Sequence, residues 1–319
     1  MATSQGLVSY PAYMRLGVVL LAGIMLVACT AQPTRQAHLP KSQLRSPLVS
    51  PPPEPIPSPI AEAPPQPPHV FVIVLENRSA AQVAGSGYIG QLAAQYAVAT
   101  NYHGVSHPSL PNYLAMTSGT TWGIADDGWH NLPAGGLGAQ MSGAGIDWRA
   151  YMEGMNNGCY RSGYPYALKH NPFAYYGGTC PSQVVPFSQF ATDMSGNVPQ
   201  FVWITPDLCH DGHDCSNATV NGWLSQTVPT ILGTDAWKNG GVLFITWDEG
   251  EDSGNSVLTL VIHSDPMLHQ SGNAYNHYSL LATIEEMLRL PRLGEAAQAA
   301  PMTDLLATIP QPTPSGPRS

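Results

Sequence analysis

The segment His69-Val-Phe-Val-Ile-Val-Leu-Glu-Asn-Arg-Ser79 is the clearest structural signal in the chain. Its centre, residues 70–75, is an unbroken apolar run of strand length that is rich in β-branched residues. Such a run is typical of a strand buried on both faces, as in a parallel sheet covered by helices. The run ends in Glu76 and Asn77, whose oxygens suit a hard cation or a hydrogen-bonding ligand. The alternative is a polar strand end that only leads into the next helix.

Two later apolar runs have the same form. Residues 200–205 lead into an Asp-, His- and Cys-rich segment, 207–215, and residues 241–247 lead into Asp248 and Glu249. A fourth strand is predicted at 257–262. Ligands of open α/β sheets bind beyond the carboxyl ends of the strands. The three polar strand ends are therefore predicted to meet at one edge of a mostly parallel sheet.

Helical periodicity separates these strands, so the fold class is α/β. Helices are predicted at 88–97, 221–232 and 279–290, and another begins near Leu110, where prolines favour a helix start. A short strand is predicted at 98–102, and residues 147–155 have strand or helix character. Residues 119–145 are glycine-rich and predict an irregular surface excursion that holds Asp126, Asp127 and His130.

The N-terminal segment predicts export. An apolar run too short for a membrane span, residues 16–28, follows Arg15, which is typical of a signal peptide. The run ends Leu26-Val-Ala-Cys29, which resembles a lipobox. Residues 1–29 are therefore expected to be a signal peptide that is cleaved before Cys29, and the Cys29 thiol is expected to be lipidated. Ordinary secretion with cleavage near Ala31 is the alternative. The protein is thus expected to be a cell-envelope lipoprotein or a secreted protein.

Residues 30–68 are polar and then proline-rich, so they predict a disordered tether. The folded domain is expected at 69–305, with a disordered tail at 306–319. The four cysteines after residue 29 predict two disulfides in an exported protein. Cys159–Cys180 and Cys209–Cys215 are favoured because each closes a short loop, although the sequence allows three pairings. A zinc site is the competing use, but no Cys-x-x-Cys spacing occurs.

The charge balance excludes one class of partner. The formal net charge is −9 with only 12 Lys plus Arg, which argues against binding nucleic acid through its phosphates. A small phosphate-bearing substrate remains compatible, because a bound divalent cation can dominate the local field. Glu76, Asn77, Asp248 and Glu249 offer ligands for one such cation, Mg²⁺ or Ca²⁺ in preference to Zn²⁺.

Ser109 is the candidate nucleophile, because it lies at a predicted helix N-terminus where backbone N–H groups favour an anion. A simple helix cap is the alternative. Asn112 follows one turn later and suits a phosphate oxygen. The histidines that could donate a proton or bind phosphate are His170, His210, His213 and His277, with a structural hydrogen-bonding role as the alternative for each. His213 beside Asp214 is the strongest candidate, because a carboxylate can orient the ring and raise its pKa. Lys169 suits a phosphate clamp or a surface ion pair. The chain contains neither a Gly-x-Ser-x-Gly elbow nor a phosphate-binding glycine loop.

These motifs occur in order along the domain, and together they resemble a known family. The segments are Glu76-Asn-Arg-Ser79, Ser109-Leu-Pro-Asn112, residues 207–214, Asp248-Glu-Gly250 and His277-Tyr-Ser-Leu-Leu281. The chain resembles the phosphoesterase family that contains bacterial non-specific phospholipases C and secreted acid phosphatases. The Lys169-His-Asn-Pro-Phe173 loop and the spacing of the cysteines are most similar to actinobacterial acid phosphatases that act on phosphatidylinositol 3-phosphate.

The resemblance implies an alkaline-phosphatase-like three-layer α/β/α sandwich. It implies Ser109 as nucleophile and His213 or His170 as the acid. It also implies metal binding by the four strand-end residues and substrate contacts by a further set: His107, Asn112, Lys169, Asp214 and His277. Many phospholipases of the family carry Arg where Tyr113 stands, and several carry Asp-His where Asn276-His277 stands. These departures favour a phosphatase over a phospholipase.

The expected function is that of an exported acid phosphatase that hydrolyses phosphate monoesters, with a phosphoinositide head group among the expected substrates. A phospholipase C-type phosphodiesterase is the first alternative, and a non-enzymatic metal-binding lipoprotein is the second. Membrane association through the lipid on Cys29 is expected, and no nucleic-acid partner is expected. The sequence does not predict the oligomeric state.

Overall fold

The computed structural model describes residues 66–264 and 270–306, which belong to one compact unit. The strands, numbered in chain order, are β1 (Val70–Leu75), β2 (Ala97–Ala99), β3 (Tyr102–His103), β4 (Trp148–Met152), β5 (Val184–Pro186), β6 (Phe201–Thr205), β7 (Val242–Trp247), β8 (Thr259–His263), β9 (Gln270–Ser271) and β10 (Tyr275–Asn276). The helices are α1 (Ala80–Val83), α2 (Gly87–Gln95), α3 (Ser109–Ser118), α4 (Gly136–Gly143), α5 (Phe190–Met194), α6 (Asn217–Leu232), α7 (Asp235–Lys238) and α8 (His277–Met287).

An eight-stranded sheet forms the centre of the domain, in the order β5-β4-β6-β1-β7-β8-β2-β9. The neighbours from β5 to β7 all pair in parallel, whereas β8 is antiparallel to both β7 and β2. A separate parallel ribbon joins β3 to β10. The predicted mostly parallel α/β sheet is confirmed.

Helices cover both faces of this sheet. All six residues of β1 are 0% exposed, which requires cover on both sides because side chains alternate between the faces of a strand. The helices form two packed groups, α3 with α4 and α8, and α2 with α6 and α5. This arrangement confirms the predicted three-layer α/β/α architecture.

The predicted elements match the observed ones with shifted ends. The strands predicted at 70–75, 200–205 and 241–247 correspond to β1, β6 and β7, and the segment 147–155 contains β4. The predicted helices correspond to α2, α3, α6 and α8. The strand predicted at 98–102 is split, because β2 joins the main sheet while β3 turns away to pair with β10.

The glycine-rich stretch is less irregular than predicted, since it contains α4. Leu137 and Met141 lie one turn apart on this helix and are fully buried. Gly138 faces the Trp148 ring so closely that a Cβ there would lie 2.9 Å from it. Packing against β4 therefore stabilises a helix whose glycine content lowers its intrinsic propensity.

The predicted disulfides Cys159–Cys180 and Cys209–Cys215 are both present and are confirmed. The signal peptide, the Cys29 lipidation site, nearly all of the proline-rich tether and the tail after residue 306 lie outside the described residues. Within the described ranges, no helix combines the length and apolar character that a membrane crossing requires.

Candidate functional site

The candidate site begins where β1 ends and α3 starts. The Ser109 hydroxyl, which is buried at the first position of α3, donates to Glu76 Oε2 at 3.0 Å. One helical turn later the Tyr113 hydroxyl donates to Glu76 Oε1 at 2.6 Å, because positions four apart share a helix face. Pro108 precedes the helix and Pro111 lies in its first turn, where proline suits the backbone.

His170 lies between two carboxylates. Its Nε2 is 3.2 Å from Glu76 Oε2 and its Nδ1 is 3.3 Å from Asp211 Oδ2, both ion-pair distances without hydrogen-bond alignment. The ring stacks on Tyr113 and is 1% exposed. Burial lowers the pKa of His170, but the charges and contacts of Glu76 and Asp211 outweigh burial and raise the pKa to about 10. His170 is therefore a buried cation that neutralises its neighbours.

The same pairing acts on the two carboxylates. Burial raises the pKa of Glu76, but the charge and contact of His170 outweigh it, so the pKa of Glu76 is lowered. Burial also raises the pKa of Asp211, to about 6, against the opposing contact of His170. Glu76 is thus held as the anion that accepts the Ser109 hydrogen bond.

His213 lies at the outer side of this group. The backbone N–H of His213 donates to Asp211 Oδ1 at 2.7 Å, and its ring centroid is 6.1 Å from that of His170. Its Nδ1 contacts Asp214 Oδ1 at 2.7 Å, so the predicted His213–Asp214 pair forms. The His213 side chain is 32% exposed, which leaves its ring accessible to solvent protons.

The strand ends of β1 and β7 lie side by side, because Leu75 pairs with Trp247. Asn77, with a left-handed φ of 49°, donates its backbone N–H to Asp248 Oδ1 at 3.2 Å. The other oxygen, Asp248 Oδ2, is buried without a hydrogen bond. Burial and the charges of Glu76 and Glu249 raise the pKa of Asp248 well above its usual range.

This donor set fits a divalent cation. Burial and the charge of Glu76 also raise the pKa of Glu249, against the opposing charge of His107, so the carboxylates repel one another. A cation beside Asp248 Oδ2, which has no hydrogen bond, would reduce the repulsion between the carboxylates and give this oxygen a partner. The predicted ligands Glu76, Asn77, Asp248 and Glu249 are therefore chemically suited to a hard metal ion.

A second acidic group lies next to the site. Among the described residues, Glu153, Asp207 and His210 form one group whose ligand atoms lie within 4.8 Å of one another. Glu153 Oε2 accepts from the Asp207 N–H and contacts His210 Nδ1, and Glu153 Oε1 accepts from Trp223 Nε1. These polar atoms already have protein partners, so the group ties the Cys209–Cys215 loop to β4 and α6. Asp207 and Asp211 thus have different partners, because Asp207 contacts Glu153 whereas Asp211 contacts His170.

Asn112 and His107 flank Glu249. Asn112 Oδ1 accepts from the backbone N–H groups of Val105 and Ser106, and its Nδ2 donates to Ser106 and Pro108 carbonyls and, at 3.5 Å, to Glu249. In this structure the amide therefore fastens the loop before Ser109, and the predicted phosphate contact stays a prediction. The half-exposed His107 pairs with Glu249 Oε2 at 2.8 Å.

Lys169 points at the nucleophile. Its Nζ lies 3.4 Å from Ser109 Oγ and 2.9 Å from Asp127 Oδ2. Burial lowers the pKa of Lys169, but the Asp127 contact and the charges of Glu76, Asp127 and Asp248 outweigh burial and raise it. An ammonium group is thus kept beside the Ser109 hydroxyl.

His277 is buried against the backbone of Asp248. It is 0% exposed, its Nε2 contacts the backbone oxygen of Asp248, and its Nδ1 contacts the Tyr102 hydroxyl at 3.1 Å. Burial lowers its pKa to about 4, so the ring is neutral. Both ring nitrogens thus have protein partners, one in β3 and one directly after β7, and the substrate contact predicted for His277 stays a prediction.

Sequence reasoning did not select Tyr113, Asp127 or Asp211 as site residues. Tyr113 has a sequence signal, since it lies four residues after Ser109 on the same helix. Asp211 lies within the Asp- and His-rich segment after β6, but that segment does not reveal which of its carboxylates turns inward. Asp127 lies in irregular chain, where no periodicity indicates its partner.

Comparison with known proteins identifies the family of this chain. The model of the Phosphoesterase family matches residues 86–291, more than half of the chain. The chain belongs to the Phosphoesterase family. Membership makes this phosphoesterase a phosphoric ester hydrolase.

Two relatives show the range of the likeness. The phosphatidylinositol-3-phosphatase of Mycobacterium tuberculosis is 31% identical over 254 residues, which are 74% of this chain and 82% of that protein. The phosphate-repressible acid phosphatase of Penicillium chrysogenum is 28% identical over 243 residues, which are 70% of this chain and 59% of that protein. This phosphoesterase thus spans less than two thirds of the fungal relative.

Solved structures show the same fold at low identity. A protein of the alkaline phosphatase superfamily from Vibrio parahaemolyticus superposes with a TM-score of 0.54 at 11% identity, covering 73% of this chain and 70% of that one. The phosphonate monoester hydrolase of Agrobacterium radiobacter has a TM-score of 0.51 at 11% identity, covering 75% and 77%. The expected alkaline-phosphatase-like fold is confirmed.

Proposed function

We propose that this phosphoesterase is an exported acid phosphatase that hydrolyses phosphate monoesters with Ser109 as nucleophile. The observation that carries the proposal is the position of the Ser109 hydroxyl at the start of α3, between the Glu76 carboxylate and the Lys169 ammonium. The carboxylate accepts the hydroxyl proton, and the ammonium and the helix N-terminus stabilise negative charge. A hydroxyl held in this way is prepared to attack phosphorus.

The reaction then proceeds in two displacements. Ser109 Oγ attacks the phosphoryl group, its proton passes to Glu76, and the ester oxygen leaves with a proton from an acid. Water then attacks the phosphoserine and gives a proton back to the acid, the bond between phosphorus and Ser109 Oγ breaks, and the proton on Glu76 returns to Ser109 as phosphate leaves. A divalent cation held by Glu76, Asn77, Asp248 and Glu249 would supply Lewis-acid stabilisation of the phosphoryl oxygens.

His213 suits the acid better than His170 does. The His170 ring is enclosed by Glu76 and Asp211 and acts as a fixed cation, whereas the His213 ring is partly exposed and oriented by Asp214. The partly exposed ring can regain its proton from solvent in each cycle. Because the acid must be protonated, we expect activity to favour acidic pH.

Two features of the proposal rest on indirect support. The disulfides Cys159–Cys180 and Cys209–Cys215 favour an oxidising compartment, which agrees with export and with lipidation of Cys29. The mycobacterial relative bears the name of a phosphatidylinositol-3-phosphatase, so a phosphoinositide head group belongs among the substrates to test.

The test compares wild type with Ser109→Ala on p-nitrophenyl phosphate, bis-p-nitrophenyl phosphate, phosphatidylcholine and a short-chain phosphatidylinositol 3-phosphate. Hydrolysis of each substrate by both proteins is measured from acidic to alkaline pH, first with a chelator and then after Mg²⁺, Ca²⁺ or Zn²⁺ is added back. We expect phosphate release from the monoesters at acidic pH, and its loss in the variant. Ser118→Ala, at the other end of α3, is the matched control and should retain activity. Intact-mass detection of a phosphoryl adduct on wild type, absent in S109A, would identify the intermediate.

Each rival predicts a different result. Cleavage of the diesters with little release from monoesters would favour the phospholipase C-type phosphodiesterase. Metal-dependent stability without hydrolysis of any ester would favour a non-enzymatic metal-binding lipoprotein. A Ser109→Ala variant with ordinary turnover would refute the nucleophile.

A further inference from the structure

Asp127 makes two contacts at the edge of the site. Its Oδ1 accepts from the Leu110 backbone N–H at 3.0 Å, and its Oδ2 lies 2.9 Å from Lys169 Nζ. Leu110 follows Ser109 in the first turn of α3, and Lys169 is the residue whose ammonium lies 3.4 Å from Ser109 Oγ. One carboxylate thus connects the backbone next to the nucleophile with the cation that faces the nucleophile.

The chain around Asp127 holds this carboxylate in place. Asp126 Oδ1 accepts from the Gly128 N–H and contacts His130 Nε2, which forms the turn that presents Asp127. Leu132 then exchanges backbone hydrogen bonds with residues 175 and 177. The segment that carries Asp127 is therefore fixed on both sides although it has no regular secondary structure.

Lys169 has competing carboxylates nearby. The charges of Glu76 and Asp248 act on its ammonium together with that of Asp127, but the carboxylate in hydrogen-bond contact with Nζ is that of Asp127, at 2.9 Å. Without Asp127, the flexible lysine side chain would be drawn towards Glu76 and Asp248, where an ammonium group would compete with a metal ion. Several positions near these carboxylates are electrostatically favourable for the Lys169 ammonium. The contact with Asp127 holds it in the one beside Ser109 Oγ.

We propose that Asp127 is a positioning residue for the phosphoryl transfer, because it holds the Lys169 ammonium against Ser109 Oγ. This inference rests on the proposed function. Asp127 acts only through Lys169 and the start of α3 and does not contact the reacting atoms. Its loss should lower the rate of the chemical step, in which charge develops on Ser109 Oγ, more than it weakens substrate binding.

The test is a double-mutant cycle between Asp127→Asn and Lys169→Met on p-nitrophenyl phosphate. Asn keeps an oxygen for the Leu110 N–H and removes the charge that holds the lysine. We expect Asp127→Asn to lower kcat about tenfold with little change in KM, and Lys169→Met to lower kcat about a hundredfold. The double variant should be no slower than Lys169→Met alone, because Asp127 then has nothing left to position. Asp235→Asn, which alters an exposed carboxylate at the start of α7, is the matched control.

A second readout does not depend on turnover. Trace acetylation followed by peptide mass spectrometry compares Lys169 with Lys238, which donates to the Gly233 carbonyl far from this contact in the chain. Release of the Lys169 ammonium in Asp127→Asn should increase its labelling several-fold relative to Lys238. Asp127→Ser, which also keeps an oxygen acceptor, replaces the Asn variant if that variant fails to fold.

The outcomes separate this inference from the proposed function. Unchanged Lys169 labelling, an unchanged kcat, or fully additive losses in the double variant would each overturn the role of Asp127, even when wild type releases phosphate. A wild-type protein without phosphate release would refute the proposed function, and the labelling would still decide whether Asp127 holds Lys169.

Discussion

Replacing His170 by Gln removes the buried cation that two carboxylates share, and it should be severely destabilising. His170 is 1% exposed and Glu76 and Asp211 are 0% exposed, so none of the three charges is compensated by water. Breaking a buried ion pair by removing one partner typically costs about 3–5 kcal/mol. The rise in the pKa of His170 from 6.5 to about 10 corresponds to a free-energy difference of the order of 5 kcal/mol, which is similar to this cost. We therefore expect the free energy of unfolding to fall by about 3–5 kcal/mol, and the Tm by roughly 10 °C.

The assay is urea unfolding of metal-free protein at pH 6, so that a bound cation does not mask the loss. His130→Gln is the control, because His130 forms an exposed pair with Asp126 whose loss should change the free energy of unfolding little. A raised histidine pKa stabilises the folded state fully below the unfolded-state pKa and less as pH rises. The difference between wild type and His170→Gln should therefore shrink between pH 6.5 and about 10. A loss no larger than that of the control, or one independent of pH, would refute the reasoning.

Two further predictions concern other buried carboxylates. Burial raises the pKa of Glu285 to about 7, so between pH 4.5 and 7 the folded state binds the proton that the unfolded state has lost, and stability falls as pH rises. Glu285→Gln keeps an acceptor for the Leu293 N–H but has no proton to lose. Its free energy of unfolding in urea, relative to that of wild type, should therefore rise by about 2 kcal/mol from pH 5 to pH 8. A difference that stays constant with pH would contradict this. Asp248→Asn should abolish metal-stimulated phosphate release while stabilising the chelated protein by about 1–3 kcal/mol. Asp207→Asn should leave metal-stimulated phosphate release unchanged. Loss of that stimulation in Asp207→Asn, and not in Asp248→Asn, would instead place the metal at Glu153, Asp207 and His210.

The parts of the fold that the sequence predicts are those with a local signal. The central strands β1, β6 and β7 are buried on both faces, so each is a continuous apolar run that ends at a polar residue. The approach of Glu76 to Asp248 follows from this pattern, because neighbouring parallel strands end at the same edge. The contact of Ser109 with Glu76 follows from the proline-marked start of α3.

The parts that the sequence does not predict depend on contacts between distant irregular segments. Asp207 and Asp211 lie in one segment with similar neighbours, yet Glu153 at the end of β4 accepts the Asp207 N–H while Asp211 turns towards His170. Nothing in the local pattern distinguishes the two. The pair of Asp127 with Lys169 joins two loops without periodicity, and its geometry depends on the packing of the whole domain.

The distribution of charge around Ser109 explains why the metal is expected at Asp248. His170 neutralises Glu76 and Asp211, and the half-exposed His107 faces Glu249. Asp248 has no cationic side chain in hydrogen-bond contact among the described residues, and one of its oxygens has no hydrogen bond at all. Burial and the neighbouring charges raise the pKa of Asp248 well above its usual range, and a bound cation would instead favour the ionised form. The Glu153, Asp207 and His210 group is compact but already satisfied, so a metal there would have to displace hydrogen bonds, whereas a metal at Asp248 would supply a partner that the protein lacks.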